Sequence, residues 1–251
     1  MIVKRQDQLD GLMRIGQICG QTLLHMLRHV EPGITTKQLD EIGAAFMKKH
    51  GAASAPIMTY KYPGWTCISV NEAVAHGIPG ARTLKPGDVV NIDVSGTLEG
   101  YWADTGASTI VPPAKPEHSR LLEQTRAALY AGMAQAVPGK RICDISRAIE
   151  AVAVRGRYSV IRELTGHGIG QALHEDPTIP NHFQKQYDDV LVEGQVFTIE
   201  PFFSLGRGQI RTARDGWTLY TVDRAVSAQF EHTVVVREGE PIAVTRVAGG
   251  H

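Results

Sequence analysis

Four carboxylates stand where a carboxylate is costly. Asp93 lies in the apolar segment VVNIDVSG, Glu200 closes the run VFTIE, and Glu231 interrupts SAQFEHTVVV. Asp104, in GYWADTGAS, follows Asp93 by eleven residues, with Gly96, Glu99 and Gly100 between them. That spacing predicts a hairpin. A turn about Leu98-Glu99 sets Asp93 and Asp104 roughly opposite each other across the ladder, where like charges repel. Either one carboxyl stays protonated or a cation lies between the pair. For any single one of the four, an edge strand with its acid facing water is the commoner explanation. Four of them, at corresponding places of a duplicated unit, make that explanation poor, because a lone buried carboxylate costs several kcal/mol or more.

Histidines add nitrogen donors. His76 lies in AHGIPG and His167 in TGHGIGQALHEDP, each followed by Gly-Ile, and His174 comes seven residues after His167. His25, His29, His50, His118, His182 and His251 fall on helix surfaces, in loops or at the terminus and receive no role. Hard oxygens with one imidazole suit manganese, iron, cobalt or zinc, whereas the lack of a thiolate cluster argues against a soft-metal site. Four carboxylates carry a charge of −4, which two divalent ions neutralise. The pattern therefore predicts a two-metal hydrolase centre that acidifies a shared water and polarises a carbonyl.

Elements must hold these residues in place. Residues 8–30 carry apolar residues at helical spacing and stop at Glu31-Pro32-Gly33. A second helix starts at Thr35 or Thr36 as N-cap and ends near Gly51. From 54 to 111, β-branched residues between Gly and Pro punctuation predict strands. Helices are expected again over 117–137 and 142–155, separated by Pro138-Gly139, and strands resume at VLVEGQVFTIEPFF, WTLYTV and HTVVV. The order thus occurs twice. Pro32-Gly33 answers to Pro138-Gly139 at an offset of 106, and L-x-x-G-x-V-x-x-I-[D/E] at Leu84–Asp93 answers to Leu191–Glu200 at an offset of 107. The expected architecture is one catalytic domain over 1–251, with α/β halves of about 1–111 and 117–251 around a shared site.

Composition sets the class. Lys plus Arg and Asp plus Glu both number 26, so no basic excess argues for nucleic acid or a membrane surface. The start MIVKRQDQLD has no apolar run, and no stretch approaches the ~18 apolar residues of a membrane span. Three cysteines without a CxxC pair argue for a reducing compartment. A soluble, cytoplasmic protein is expected.

Together NEAVAHGIP, VNIDVSGTLEGYWADTGAS, TGHGIGQALHEDP, FTIEP, IRTARDGWT and SAQFEHTVVV resemble type I methionine aminopeptidases of the M24 metallopeptidase family. The resemblance implies an α+β pita-bread fold, two pseudo-twofold halves with helices covering a curved antiparallel sheet. It implies removal of N-terminal methionine from nascent proteins and peptides through a water or hydroxide bridging two divalent ions (cobalt, manganese, iron or zinc). Carried over, Asp93 ligates one ion, His167 and Glu200 the other, and Asp104 and Glu231 bridge both. Glu200 also shuttles the proton, His76 donates to the scissile amide, and His174 steadies the carbonyl. Tyr62, Cys67, His76 and Trp217 line the methionine slot. The chain departs from the pattern at Leu173, where many relatives carry an aromatic residue, and at Thr59, where a tyrosine is common. His174 to Glu200 spans only 26 residues, too few for the type II insertion, and fewer than ten residues precede the first helix, which implies a compact bacterial-type form. The expected partners are nascent polypeptide N-termini, met at the ribosome, with the enzyme a monomer without nucleic-acid specificity.

Three rival readings accompany this one. Asp104-Thr105-Gly106 matches an aspartic-protease motif, but such enzymes need two and this chain has one. Proline-specific relatives share the five ligands and usually carry a further N-terminal domain. A metal-free binding module on the same fold would typically lose ligands.

Overall fold

The computed structural model describes residues 1–250, so His251 lies outside the described residues. Helix α1 (Gln6–Leu27) buries Leu12, Ile15, Cys19, Leu23 and Met26, a single stripe at three- and four-residue steps. Helix α2 (Thr36–Lys49) starts in a capping box: Thr35 Oγ1 accepts from Gln38 N at 3.2 Å and Gln38 Oε1 from Thr35 N at 2.9 Å. Strand β1 (Ala53–Ser54) leads into α3 (Ala55–Tyr60), a short helix in a stretch expected to be all strand. The Ser54 cap and Pro56 in the first turn favour a helix there over β structure. Strands β2 (Cys67–Val70), β3 (Ala73–Ala75), β4 (Val89–Leu98) and β5 (Tyr101–Ile110) follow.

The chain then forms α4 (Pro116–Met133) and α5 (Ile142–Gly156), both ending within four residues of expectation. After them come β6 (Ser159–Val160), β7 (Thr165–Gly168), β8 (Glu175–Pro180), β9 (Val196–Ile199) and β10 (Phe202–Ser204). The last are β11 (Ile210–Thr212), β12 (Leu219–Thr221), β13 (Ser227–Gln229), β14 (His232–Val235) and β15 (Ile242–Ala243). All pairings are antiparallel. One sheet joins β1, β4 and β2, with β5 on β4, and another runs β15-β14-β9-β7-β8. Helices and sheets share a core that includes Leu23, Ile92, Leu129, Ile149, Phe197 and Phe203. No helix among the described residues is long and apolar enough to cross a membrane.

The paired sequence motifs make the same backbone contacts. Gly33 N donates to Leu84 O at 2.9 Å and Gly139 N to Leu191 O at 3.0 Å; Leu84 N reaches Ile34 O, and Leu191 N reaches Lys140 O, both at 2.8 Å. Gly33, Gly87, Gly139 and Gly194 all have positive φ, which explains glycine at each of the four places.

The β4–β5 register corrects one expectation. The turn is centred on Glu99-Gly100, with φ of 52° and 83°, and Leu98 pairs with Tyr101. A two-residue hairpin turn with both central residues left-handed fits strand twist, and Gly at the second place favours it. Asp93 consequently faces Gly106, and Asp104 faces Ser95. The two acids are diagonal neighbours on one face of the sheet, not directly opposed.

Candidate metal centre and substrate cavity

The site forms where β5 meets the segment joining β13 to β14. Glu231 N donates to Gly106 O, Thr105 Oγ1 to Glu231 O, and Asp104 N to Thr233 Oγ1, all within 2.9 Å. These bonds bring Asp104 and Glu231, 127 positions apart in sequence, to one place. His167 arrives on β7 and Glu200 immediately after β9. Donor atoms of Asp104, His167 and Glu231 lie within 4.8 Å of one another. His167 Nε2 is 3.5 Å from Glu200 Oε1 and 4.0 Å from Asp104 Oδ2.

Hydrogen bonds behind the donors fix their directions. His167 Nδ1 is 3.0 Å from Gly168 O, and a carbonyl can only accept, so Nδ1 carries the proton. The neutral ring then turns the Nε2 lone pair toward the carboxylates, as a ligand must. Thr198 Oγ1 accepts from His167 N and donates to Glu200 Oε1, each at 3.0 Å, tying the two side chains together. Ser95 Oγ donates to Asp104 Oδ1 at 2.9 Å, and Gln229 Nε2 to Glu231 Oε2 at 3.0 Å. Gln229 is itself held by Asn91 Nδ2 at 2.8 Å. Ser95, Thr198, Gln229 and Asn91 carried no sequence signal, since polar residues in strands usually face water.

Lone pairs thus face lone pairs, and Asp93 Oδ1 is buried without a hydrogen-bond partner. Burial, and then the neighbouring carboxylates, hold Asp93 and Glu231 well above the usual carboxylate range; burial and the Asp104 charge do the same to Glu200. Asp104 is raised by burial and restrained by its hydrogen bonds. Among the described residues, no lysine or arginine lines the cavity. The donor set fits divalent cations, and the chain uses a divalent metal.

This has a consequence for stability. An acid whose pKa is raised by folding contributes stability at low pH, lost as the pH rises through the folded value. His167 and His174, pushed down to about 4 by burial, contribute in the opposite sense, below the ordinary histidine value of 6.5. Above roughly pH 7.5 both are almost wholly neutral folded and unfolded, so among these groups the acids set the slope. The thermal midpoint of metal-free protein should fall as the pH rises above about 7.5, and Mn²⁺ should raise it more at about pH 8.5 than at about 7.5. A stabilisation by Mn²⁺ that does not change with pH would refute the assignment of raised carboxyls to the metal centre.

Beside the donors opens a cavity of about 810 Å³. Its walls include Tyr62, Cys67, Ala75, His76, Phe202 and Trp217, next to all five donors and His174. The structure thus gathers every residue singled out for the site. Tyr62 donates to Gly77 O at 2.7 Å, and its ring meets Trp217 edge-on at 5.2 Å. Cys67 pairs with Asp93 across β2 and β4, and burial pushes its thiol up, which suits an inert wall. His76 has a left-handed backbone with φ 53°. It lines the cavity, and desolvation lowers its pKa. Leu173 is buried and lines the cavity; Thr59 does not line it. Tyr60, one residue later, does, and its hydroxyl lies 2.7 Å from His174 Nδ1. Tyr60 carries no local sequence signal, because its partner His174 lies 114 positions away.

Comparison with known proteins agrees with this geometry. Residues 10–238 match the model of metallopeptidase family M24. A methionine aminopeptidase from Staphylococcus epidermidis is 41% identical over 249 residues, 98% of this chain and 99% of that protein. Methionine aminopeptidase 2 from Bacillus subtilis is 43% identical over 252 residues, 98% of this chain and 100% of that protein. The crystal structure of methionine aminopeptidase from Rickettsia prowazekii superposes with a TM-score of 0.94 at 36% identity, covering 98% of this chain and 100% of that one. The pita-bread fold is shared. The chain belongs to metallopeptidase family M24 and, within it, to the methionine aminopeptidases.

Proposed function

We propose that this chain hydrolyses the first peptide bond of nascent proteins and peptides that begin with methionine. The observation that supports this reading best is the adjoining of two unlike surfaces in one cavity. An apolar slot of Tyr62, Cys67, Ala75, Phe202 and Trp217 suits a thioether side chain, and a cluster of carboxylates beside it suits a substrate α-ammonium. Only a residue with a free amine satisfies both, which confines the enzyme to chain ends. The relatives named above carry this activity in their names.

Asp93, Asp104, His167, Glu200 and Glu231 would hold two divalent ions, with cobalt, manganese, iron and zinc all compatible with these donors. When bound, the ions supply Lewis acidity toward the scissile carbonyl and an acidified water as nucleophile. Glu200 takes the proton of the attacking water and carries it toward the leaving amine. His76 donates to the scissile amide nitrogen, and His174 donates to the carbonyl oxygen as negative charge gathers there. The chain works as one catalytic domain of two halves, as a cytoplasmic monomer meeting its substrates where polypeptides emerge from the ribosome.

The test sets Met-Ala-Ser against a Xaa-Pro dipeptide, with manganese, cobalt, iron or zinc supplied in turn. Methionine release from the tripeptide should exceed proline-bond cleavage in kcat/KM by at least about a hundredfold. Preferred cleavage of the Xaa-Pro dipeptide would overturn the substrate assignment in favour of a proline-specific enzyme. Metal below about a tenth of an ion per chain after reconstitution would point to a binding module instead.

A further inference from the structure

The mechanism needs a proton on one particular nitrogen of His174. A neutral imidazole has one N–H, and which nitrogen carries it is set by the partner of the other. Tyr60 is that partner, its hydroxyl 2.7 Å from Nδ1, with ring centroids 5.7 Å apart. A hydroxyl can donate or accept. If it accepted from Nδ1, the Nε2 lone pair would face a cavity lined by the carboxylates Asp104, Glu200 and Glu231. If it donates to Nδ1, the proton sits on Nε2 and an N–H faces those oxygens. The second arrangement has complementary charge in the metal-free site, and it is the one that leaves an N–H free to donate to a substrate carbonyl.

The backbone on either side of Tyr60 is anchored by hydrogen bonds. Tyr60 ends α3, whose first turn is capped by Ser54, and Ser54 Oγ donates in turn to Trp65 O at 2.8 Å. Ser54 belongs to β1 and pairs with Gly96 of β4, the strand that carries Asp93. At the other end, Lys61 takes a left-handed conformation, φ 57°, and the amides of Lys61 and Tyr62 close on Ile57 O and Pro56 O. The backbone that carries Tyr60 is therefore tied to the sheet that holds Asp93 and Asp104, while its side chain is half exposed at the cavity mouth.

We infer that Tyr60 is the positioning residue of His174, donating its hydroxyl proton to Nδ1 and so fixing the tautomer that presents Nε2–H to the substrate carbonyl. This rests on the reading of His174 given above. Orienting groups of this kind govern imidazole tautomers in other enzymes; losing one costs about 10- to 100-fold behind a metal-bound histidine and more behind a catalytic base.

The test uses the zinc-loaded full chain with ¹⁵N-labelled histidine, and His174→Ala to identify the His174 resonances. Wild type should show an Nδ1 that accepts and an Nε2 that carries hydrogen. Tyr60→Phe keeps the ring and removes the hydroxyl; it should populate both tautomers, with kcat lowered about tenfold and KM within about twofold. Metal content and thermal midpoint should stay at the wild-type values. In a His174→Ala background, Tyr60→Phe should cost nothing further. A wild-type His174 protonated on Nδ1, an unchanged tautomer in Tyr60→Phe, or losses that multiply in the double variant would each overturn the proposal. If His174→Ala alone turns over normally, the role given to His174 fails instead, and the nitrogen shifts still decide whether Tyr60 sets the tautomer.

Discussion

Glu200→Gln is expected to abolish methionine release, lowering kcat at least about a thousandfold, while the chain stays folded. The amide has the shape of the acid and can still accept the Thr198 hydroxyl through its oxygen. It has no charge to offer a cation and no basic oxygen to take a proton from water. The oxygen that accepts from Thr198 is also the atom 3.5 Å from His167 Nε2, so the NH₂ takes the Oε2 place and leaves a single neutral oxygen where a carboxylate would ligate. Stability should move the other way. Glu200 is buried among other acids and its pKa is raised, so its ionised form destabilises the metal-free fold at neutral pH. The neutral amide removes that cost. Metal-free Glu200→Gln should melt at or above the wild-type midpoint at pH 8, and Mn²⁺ should raise it by less than it raises wild type. Asp93→Asn should behave alike, because Asp93 is buried, unpartnered at Oδ1 and raised by the same neighbours. Steady-state release from Met-Ala-Ser and calorimetric melting measure both effects. Near-normal turnover in either variant would remove that residue from the metal centre.

Why these acids were legible in the sequence, and others of the site were not, has a physical basis. Asp93 and Glu231 betray themselves because a charge inside a run of β-branched residues contradicts the burial its neighbours demand. Their relative placement was harder. Moving the turn from Leu98-Glu99 to Glu99-Gly100 shifts the pairing by two residues, so Asp93 still shares a face with Asp104 but meets Gly106 directly. Side-chain parity survives such a shift, and exact opposition does not. The supporting hydroxyls and amides had no such contradiction to reveal them. Thr198 and Ser95 are ordinary strand residues until Glu200 and Asp104 are known to lie beside them. Tyr60 is the extreme case: its partner, His174, is 114 positions away, and α3 is too short to show a helical period. Local patterns report burial and element type well, while contacts between distant loops emerge only from the assembled fold.

His174→Ala separates chemistry from metal binding, and its expected signature is a kcat lowered by about 10²–10³ with metal content unchanged. His174 meets the donor cluster through His167, the rings tilted by 42° with centroids 4.1 Å apart, and its Nδ1 is engaged by Tyr60. That leaves Nε2 to face the cavity rather than to complete a ligand set. Burial pushes its pKa down to about 4, so it is neutral across the working range and offers a hydrogen bond rather than a charge. A neutral donor serves the negative oxygen of the transition state more than the neutral carbonyl of the bound substrate. Removing it should therefore act on kcat, and kcat/KM should fall by a similar factor. Ligand residues should behave differently, with activity and metal lost together. The comparison to make is ion stoichiometry against kcat for His174→Ala, with His167→Ala alongside. If His174→Ala sheds metal in proportion to activity, His174 is a ligand, and the carbonyl-steadying role falls to another group. If metal stays and kcat drops, the five donors hold the ions without it, and its N–H is directed at the substrate.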